Sequence, residues 1–273
     1  MYARVETRFE TIVVERAGSV VYLTMDRPEA RNAMNFRMVQ EVRDFFVSIR
    51  DDRSVRCVVL RGAGGTFSAG ADIKEMCDPA NRTRAAQLAY AEVLDEMLVA
   101  VQRAPQVTVA VVEGAALGGG LGLICVADVA VAAHDAVMAL PEVRLGIAPA
   151  VISPFVLQRI GLTHTRQLAL TGRRLSGFAA QEIGLVHDVA LEGQMDEIVE
   201  GYVGDILEGA PEALAATKAL LFYVADRVLE ESRAYRVDML CRLQESPEGR
   251  EGMDAFAAKR KPAWVPHQDP FAV

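Results

Sequence analysis

Apolar residues along this chain follow two rhythms, short unbroken runs and runs at helical spacing, and their alternation sets the first expectations about its fold. Residues 11–16 and 20–25 are rich in β-branched side chains and flank Ala17-Gly18-Ser19, which predicts an opening hairpin. Asp26-Arg27-Pro28 then breaks the strand. From Phe36 to about residue 51, Met38, Val39, Val42, Phe45, Phe46 and Ile49 recur at helical intervals, and residues 55–60 follow as an almost wholly apolar strand. The rhythm repeats with a helical stretch over 81–102, a buried strand over 107–112, a glycine-rich turn, a short helix near Leu121 and a strand over 129–133. Such alternation predicts α/β layers with parallel pairing. Beyond about Leu191 only helical patterns remain, with Pro211 and Ser246-Pro247-Glu248 as helix starts. The expectation is an α/β core over residues 1–190 and a helical region over 191–273.

Composition narrows the function classes. A net charge of −8 disfavours a broad nucleic-acid surface, although a few cations and helix N-termini suffice for a small anionic ligand. The four cysteines, Cys57, Cys77, Cys125 and Cys241, are far apart and form no C-x-x-C pair, so they suggest a reducing compartment rather than a disulfide framework or a zinc site. Acidic Glu6 and Glu10 and the lack of a long apolar stretch argue against a targeting peptide or a membrane span, which makes the cytoplasm the expected location. His134, His164, His187 and His267 show no metal-ligand spacing and are expected in surface or structural roles.

Two glycine-containing segments follow apolar strands, residues 61–73 and 113–122, and each runs up to a predicted helix start. Glycine permits close backbone approach to a ligand, and a helix N-terminus presents unpaired N–H groups, so a pair of such groups can form an oxyanion hole. Singly, each segment reads equally well as a tight turn; neither forces a dinucleotide fingerprint, and no P-loop lysine is present.

Their wording is more specific. Ser68-Ala69-Gly70-Ala71-Asp72-Ile73-Lys74-Glu75-Met76 and Gly118-Gly119-Gly120, preceded by Arg27-Pro28 and Asn32-Ala33, closely resemble the crotonase, or enoyl-CoA hydratase and isomerase, superfamily. Ala127-Asp128, Pro141-Glu142, Leu145-Gly146, Leu170-Thr171-Gly172, the A-Q-E-I-G-L-V run from Ala180 and the F-A-A-K-R-K-P-A-W run from Phe256 extend the match over nearly the whole chain. The resemblance implies a crotonase-like ββα superhelix, or spiral, with a helical C-terminal region used for assembly as trimers or dimers of trimers. It also implies that the Ala71 and Gly119 N–H groups hold a thioester oxygen. Ala69, Ala71, Asp72, Ile73, Lys74 and Gly119 would line the path of the CoA moiety, and Lys259 would reach a CoA phosphate, across a subunit boundary if need be. No metal or redox cofactor is required, because coenzyme A arrives with the substrate.

Family hydratases carry two catalytic glutamates, and this chain has one of them. The position two residues after the triple glycine is Gly122, while the P-E motif supplies Glu142. Out of context, a glutamate after proline reads as a first-turn helix charge; within the family frame it becomes the proton-transfer residue. The G-G-G-L-G-L run and the segment from Pro141 to Phe155 look most like hydratases of branched glutaconyl-CoA-type esters, whose distal carboxylate or Glu142 itself would activate water. The expected reaction is hydration of a 2-enoyl-CoA; the alternatives are a Δ3,Δ2-enoyl-CoA isomerase working with one glutamate and a non-catalytic acyl-CoA binder. Asp128 is expected to brace a strand, Asp72 to orient its loop, Ser153 to cap a helix, and Met34, Met76 and Met138 to fill the core. Arg144, two residues beyond Glu142, is left open as a partner for an acyl carboxylate.

Overall fold

The computed structural model describes residues 5–265. β1 (Val5–Arg8), β2 (Ile12–Ala17) and β3 (Val20–Met25) form an antiparallel edge. The hairpin is tighter than the sequence suggests: Ala17 pairs with Val20, leaving Gly18-Ser19 as the loop, and Gly18 takes a φ of 60° that suits such a turn. β1 is exposed throughout and carries no apolar alternation, so nothing in the pattern announces it.

From β3 the chain rises by repeated crossovers. α1 (Phe36–Ser48) starts where the Asn35 side chain accepts the Met38 N–H, and β4 (Cys57–Gly62) returns parallel to β3. After α2 (Ile73–Cys77) comes α3 (Arg84–Arg103), which begins later than the expected residue 81 because Asn81 lies in a separate 3-10 turn and Thr83 supplies the cap. β5 (Val107–Val112), β6 (Ala115–Leu117) and α4 (Gly119–Val126) form the next turn. β7 (Val129–Ala133), β8 (Val137–Ala139), α5 (Ser153–Thr171), α6 (Gly177–Glu182) and β9 (Asp188–Ala190) complete the core. The main sheet runs β1-β2-β3-β4-β5-β7-β9 and is parallel from β3 onward.

A second layer lies across these turns. β6 pairs in parallel with β8, and single bridges join Met34 to Ala71, Ser68 to Ala116 and Met138 to Leu175. Each turn therefore contributes a strand to the main sheet, a short extended segment to the second layer, and then a helix, which is the ββα spiral the motifs imply. The central strands are apolar on both faces because both are covered: Val58, Leu60, Ala110 and Val112 pack among residues of α1, α3 and α4, while Cys57, Val59, Val109 and Val111 pack with Val199, Val203 and Leu207.

After β9 only helices follow among the described residues: α7 (Met195–Glu208), α8 (Pro211–Ala225), α9 (Leu229–Glu245) and α10 (Pro247–Ala257). Pro211 and Pro247 open their helices, and Ser246 caps α10 by accepting the Gly249 N–H. No helix among the described residues is long and apolar enough to cross a membrane.

α8 is tied to the sheet by a residue the sequence reading passed over. The Lys218 Nζ lies 2.6 Å from the Asp128 carboxylate and 3.0 Å from the Gln106 carbonyl oxygen, and Asp128 also accepts the Thr108 N–H at 2.8 Å. Asp128 thus braces the sheet as expected. With the Lys218 side chain only 9% exposed, its removal strands a desolvated carboxylate. Lys218→Ala is expected to cost about 2–3 kcal/mol of unfolding free energy in denaturant titration, somewhat below a fully buried pair because Asp128 is 24% exposed.

Candidate active site

The site is assembled from the ends of two strand-to-helix segments, held against one another by glycines and buried polar side chains. The first segment follows β4. Asn32, fully buried, donates to the carbonyls of Ala63 and Thr66 and accepts the Arg27 N–H, while Ser68 Oγ donates to the Asn32 carbonyl. Arg27 reaches across to Asp72 at 2.9 Å and donates to the Ala33 carbonyl at 2.5 Å. Asp72 also accepts the Lys74 and Glu75 N–H groups as the cap of α2. Arg27-Pro28 and Asn32-Ala33 thus act as the brace for the segment that carries Ala71.

The second segment lies directly beside it. Met34 N–H donates to the Gly70 carbonyl and Leu117 N–H to the Ser68 carbonyl, so three backbone stretches are laced together. Gly70, with φ of 89°, lies so close that a Cβ there would sit 2.5 Å from the Leu117 oxygen. Gly118 takes φ 51° and ψ −117°, a conformation closed to residues with side chains, and turns the chain into α4 with Gly119 at its first position. Among the described residues, the N–H groups of Ala71 and Gly119 donate to no protein acceptor, and both residues line a cavity of about 380 Å³. Two unpaired donors on adjacent backbones suit a developing oxyanion.

Glu142 faces them. It opens a 3-10 turn after Pro141, and its Oε1 lies 2.9 Å from where a Gly118 Cβ would be. Its Oε2 is buried without a hydrogen-bond partner, and burial holds the carboxyl above the usual glutamate range. Among the described residues, Glu142 is the sole carboxylate lining this cavity. A desolvated carboxyl beside two free N–H donors can move a proton at the carbon next to a bound carbonyl.

Gly122 is buried in α4 and contributes no wall to the cavity. The space a side chain would need is taken: a Cβ at Gly122 would sit 2.7 Å from the Ile152 Cγ2. Where the resemblance leads one to expect a carboxylate, the structure has a packed apolar contact, which the sequence alone did not reveal.

Of the residues expected along the CoA path, Ala69, Ala71, Ile73 and Gly119 line the cavity. Asp72 does not, because its carboxylate is turned into the cap and ion pair described above, and Lys74 is exposed outside the lining. Lys259 lies beyond α10 with φ of 53°, exposed and away from the cavity walls. Met34 and Met138 are buried in the core as expected, and Met34 also lines the cavity; Met76, expected as core filling, is exposed and lines the cavity instead. Ser153 is not a cap: it is the first residue of α5, and its hydroxyl donates to the Ala150 carbonyl. His187 accepts the Ala130 N–H through Nδ1, a structural role, and His267 lies outside the described residues. Tyr90, whose hydroxyl donates to the Met34 carbonyl, and Ile152 are wall residues that carry no sequence signal.

A ββα spiral that presents paired N–H donors and a desolvated carboxyl to one apolar cavity is suited to proton transfer beside a bound carbonyl. The chain belongs to the enoyl-CoA hydratase/isomerase family, whose model matches residues 15–267. Among solved structures it is similar to Pseudomonas aeruginosa AtuE, with 44% identity and a TM-score of 0.92 over 94% of this chain and 100% of that one. It is also similar to an enoyl-CoA hydratase/isomerase from Marinobacter aquaeolei, at 39% identity and a TM-score of 0.91 over 94% and 100% of the two chains. The enoyl-CoA isomerase/hydratase fer4 of Mycosarcoma maydis is 33% identical across 90% of this chain and 92% of its own.

The contact at Gly122 makes a direct test. Gly122→Ala is expected to lower stability by about 1–3 kcal/mol through overpacking against Ile152, and Ile152→Ala in the same chain to recover part of that loss. Simple additivity in a double-mutant cycle would contradict the contact.

Proposed function

We propose that the protein hydrates a 2-enoyl-CoA, and that its substrate is of the branched glutaconyl-CoA type. The observation that carries the reading is the placement of Glu142 as the sole carboxylate of the cavity, beside the free Ala71 and Gly119 N–H groups. The thioester oxygen accepts from these two donors, which favours the enolate-like state by roughly 2.7–4 kcal/mol per donor. Glu142 does both parts of the proton work. The carboxylate accepts a proton from water as the water oxygen bonds to the β-carbon, and the carboxyl so formed then delivers that proton to the α-carbon, which restores the carboxylate.

The second reading, Δ3,Δ2-enoyl-CoA isomerisation, is favoured by the same lone carboxylate, because moving a proton from the α- to the γ-carbon needs one base. A non-catalytic acyl-CoA binder would have no use for a desolvated carboxyl next to the oxyanion donors. We also propose self-association as a trimer or dimer of trimers through the helical region of residues 191–273, where Leu221, Leu229, Leu240 and Phe256 are exposed. Lys259 would then meet the CoA phosphates of a neighbouring subunit.

Mass spectrometry of products from 2-enoyl- and 3-enoyl-CoA separates the first two readings, since only hydration adds the mass of water. Glu142→Gln is expected to lower kcat by roughly 10²–10⁴-fold. Its effect on stability has the opposite sign. Because burial raises the folded-state pKa, stability present with the carboxyl protonated is lost as pH rises from the unfolded value of about 4.3 through the folded one. Glu142→Gln is thus expected to match wild type in unfolding free energy at low pH and to exceed it near neutrality; a loss of both activity and neutral-pH stability would count against the assignment.

A further inference from the structure

The cavity around Glu142 is walled mainly by apolar side chains and backbone, and the charged side chains lining it are Glu142 and Arg144. Arg144 is exposed, and as the cation in that lining it offers an anionic group of a ligand a charged, forked partner. Arg144 stands two residues after Glu142 on the same 3-10 turn, so the two side chains share one rigid support. They form no ion pair with one another among the described residues, so the guanidinium is not taken up by the carboxylate beside it.

What holds Arg144 in place leaves most of it available. Its Nη2 donates to the Thr171 carbonyl at 3.2 Å, at the C-terminus of α5 where a cation is favoured by the helix dipole. Its Nε lies 2.7 Å from where a Cβ on Gly172 would be, so the guanidinium rests against a residue that must lack a side chain. Gly172 has φ of 60° and terminates α5, and it thereby fixes both the end of the helix and the seat of the arginine. Among the described residues no hydrogen bond is made by Nε or Nη1, so a carboxylate arriving from the cavity finds N–H donors of the fork still open beside the one spent on Thr171.

We infer that Arg144 is the specificity-determining residue of this site, binding the distal carboxylate of a dicarboxylic acyl group while Glu142 carries out proton transfer. The inference rests on the glutaconyl-type reading above and assigns its recognition to one side chain. It also removes an electrostatic difficulty of that reading: a substrate carboxylate entering an apolar cavity would otherwise meet only the negative charge of Glu142. The 3-10 turn then works as a ruler, with the proton-transfer group at its first residue and the carboxylate anchor two residues on.

The test compares 3-methylglutaconyl-CoA with 3-methyl-2-pentenoyl-CoA, in which a methyl group replaces the distal carboxylate, for the wild type, Arg144→Gln and Arg144→Lys. The wild type is expected to prefer the dicarboxylic substrate. Arg144→Gln is expected to reduce that preference, measured as the ratio of kcat/KM values, by roughly 10- to 100-fold, mainly through KM. Arg144→Lys, which keeps the charge but not the fork, is expected to fall between them. If the wild type shows no preference, the glutaconyl reading fails and the inference with it. If the wild type prefers the dicarboxylic substrate and Arg144→Gln keeps the full preference, only the assignment to Arg144 fails. Equal losses on both substrates would mean that Arg144 holds the CoA portion common to them, or merely the end of α5, and would also overturn it.

Discussion

The structure depends on one close approach, that of the backbone around Gly70 to the backbone around Leu117 and Gly118. A side chain at Gly70 would meet the Leu117 carbonyl at 2.5 Å, so the two segments can lie side by side only because the residue is glycine. Once they do, the Ala71 N–H and the Gly119 N–H face the same space, neither consumed by secondary structure. The rest of the spiral serves this contact. Parallel β4 and β5 deliver the two segments to the same end of the sheet, α2 and α4 begin from them, and the second-layer bridges at Ser68–Ala116 and Met34–Ala71 fix their register.

Buried polar groups give the approach its rigidity. Asn32, Ser68, Arg27 and Asp72 satisfy backbone donors and acceptors across a stretch of chain that has no regular pairing of its own. Polar atoms in such a place cost free energy unless paired, so their mutual satisfaction selects one geometry of the segment over others of similar compactness. The carboxyl of Glu142 is the exception. Its Oε2 is left unpartnered in the wall of the cavity, and the desolvation that raises its pKa is the price of keeping it available for proton transfer.

Glycine at position 122 does more than leave the cavity without a second carboxylate. Ile152, from the segment that enters α5, occupies the space beside Gly122, so this part of the fold is packed as an apolar contact. The contact ties the chemistry of the site to its shape: one glutamate faces the cavity, and the segment from Ile147 to Ile152 is a wall. Arg144, on the turn just before it, is the cation among the described residues that line the cavity.

Much of this was legible in the sequence. Apolar runs and helical spacing placed α1, β5, β7 and the C-terminal helices, because these elements bury one face or both and their composition follows that burial. The glycine-rich wording around Ala71 and Gly119 marked the two segments that come together, since close backbone approach demands glycine whatever surrounds it. The sequence also determined that Glu142 stands without a partner carboxylate at 122. Other features arise only when distant segments meet. β1 is exposed and has no pattern, Lys218 finds Asp128 across 90 residues of chain, Asp72 turns from the ligand path into a cap, and Met34 reaches the cavity from before α1. Whether Gly122 leaves a hole or a filled wall was decided by Ile152, and the seat of Arg144 by Gly172. Sequence sets what each residue is able to do; which neighbours it does it with is a property of packing, and packing exists only in the tertiary structure.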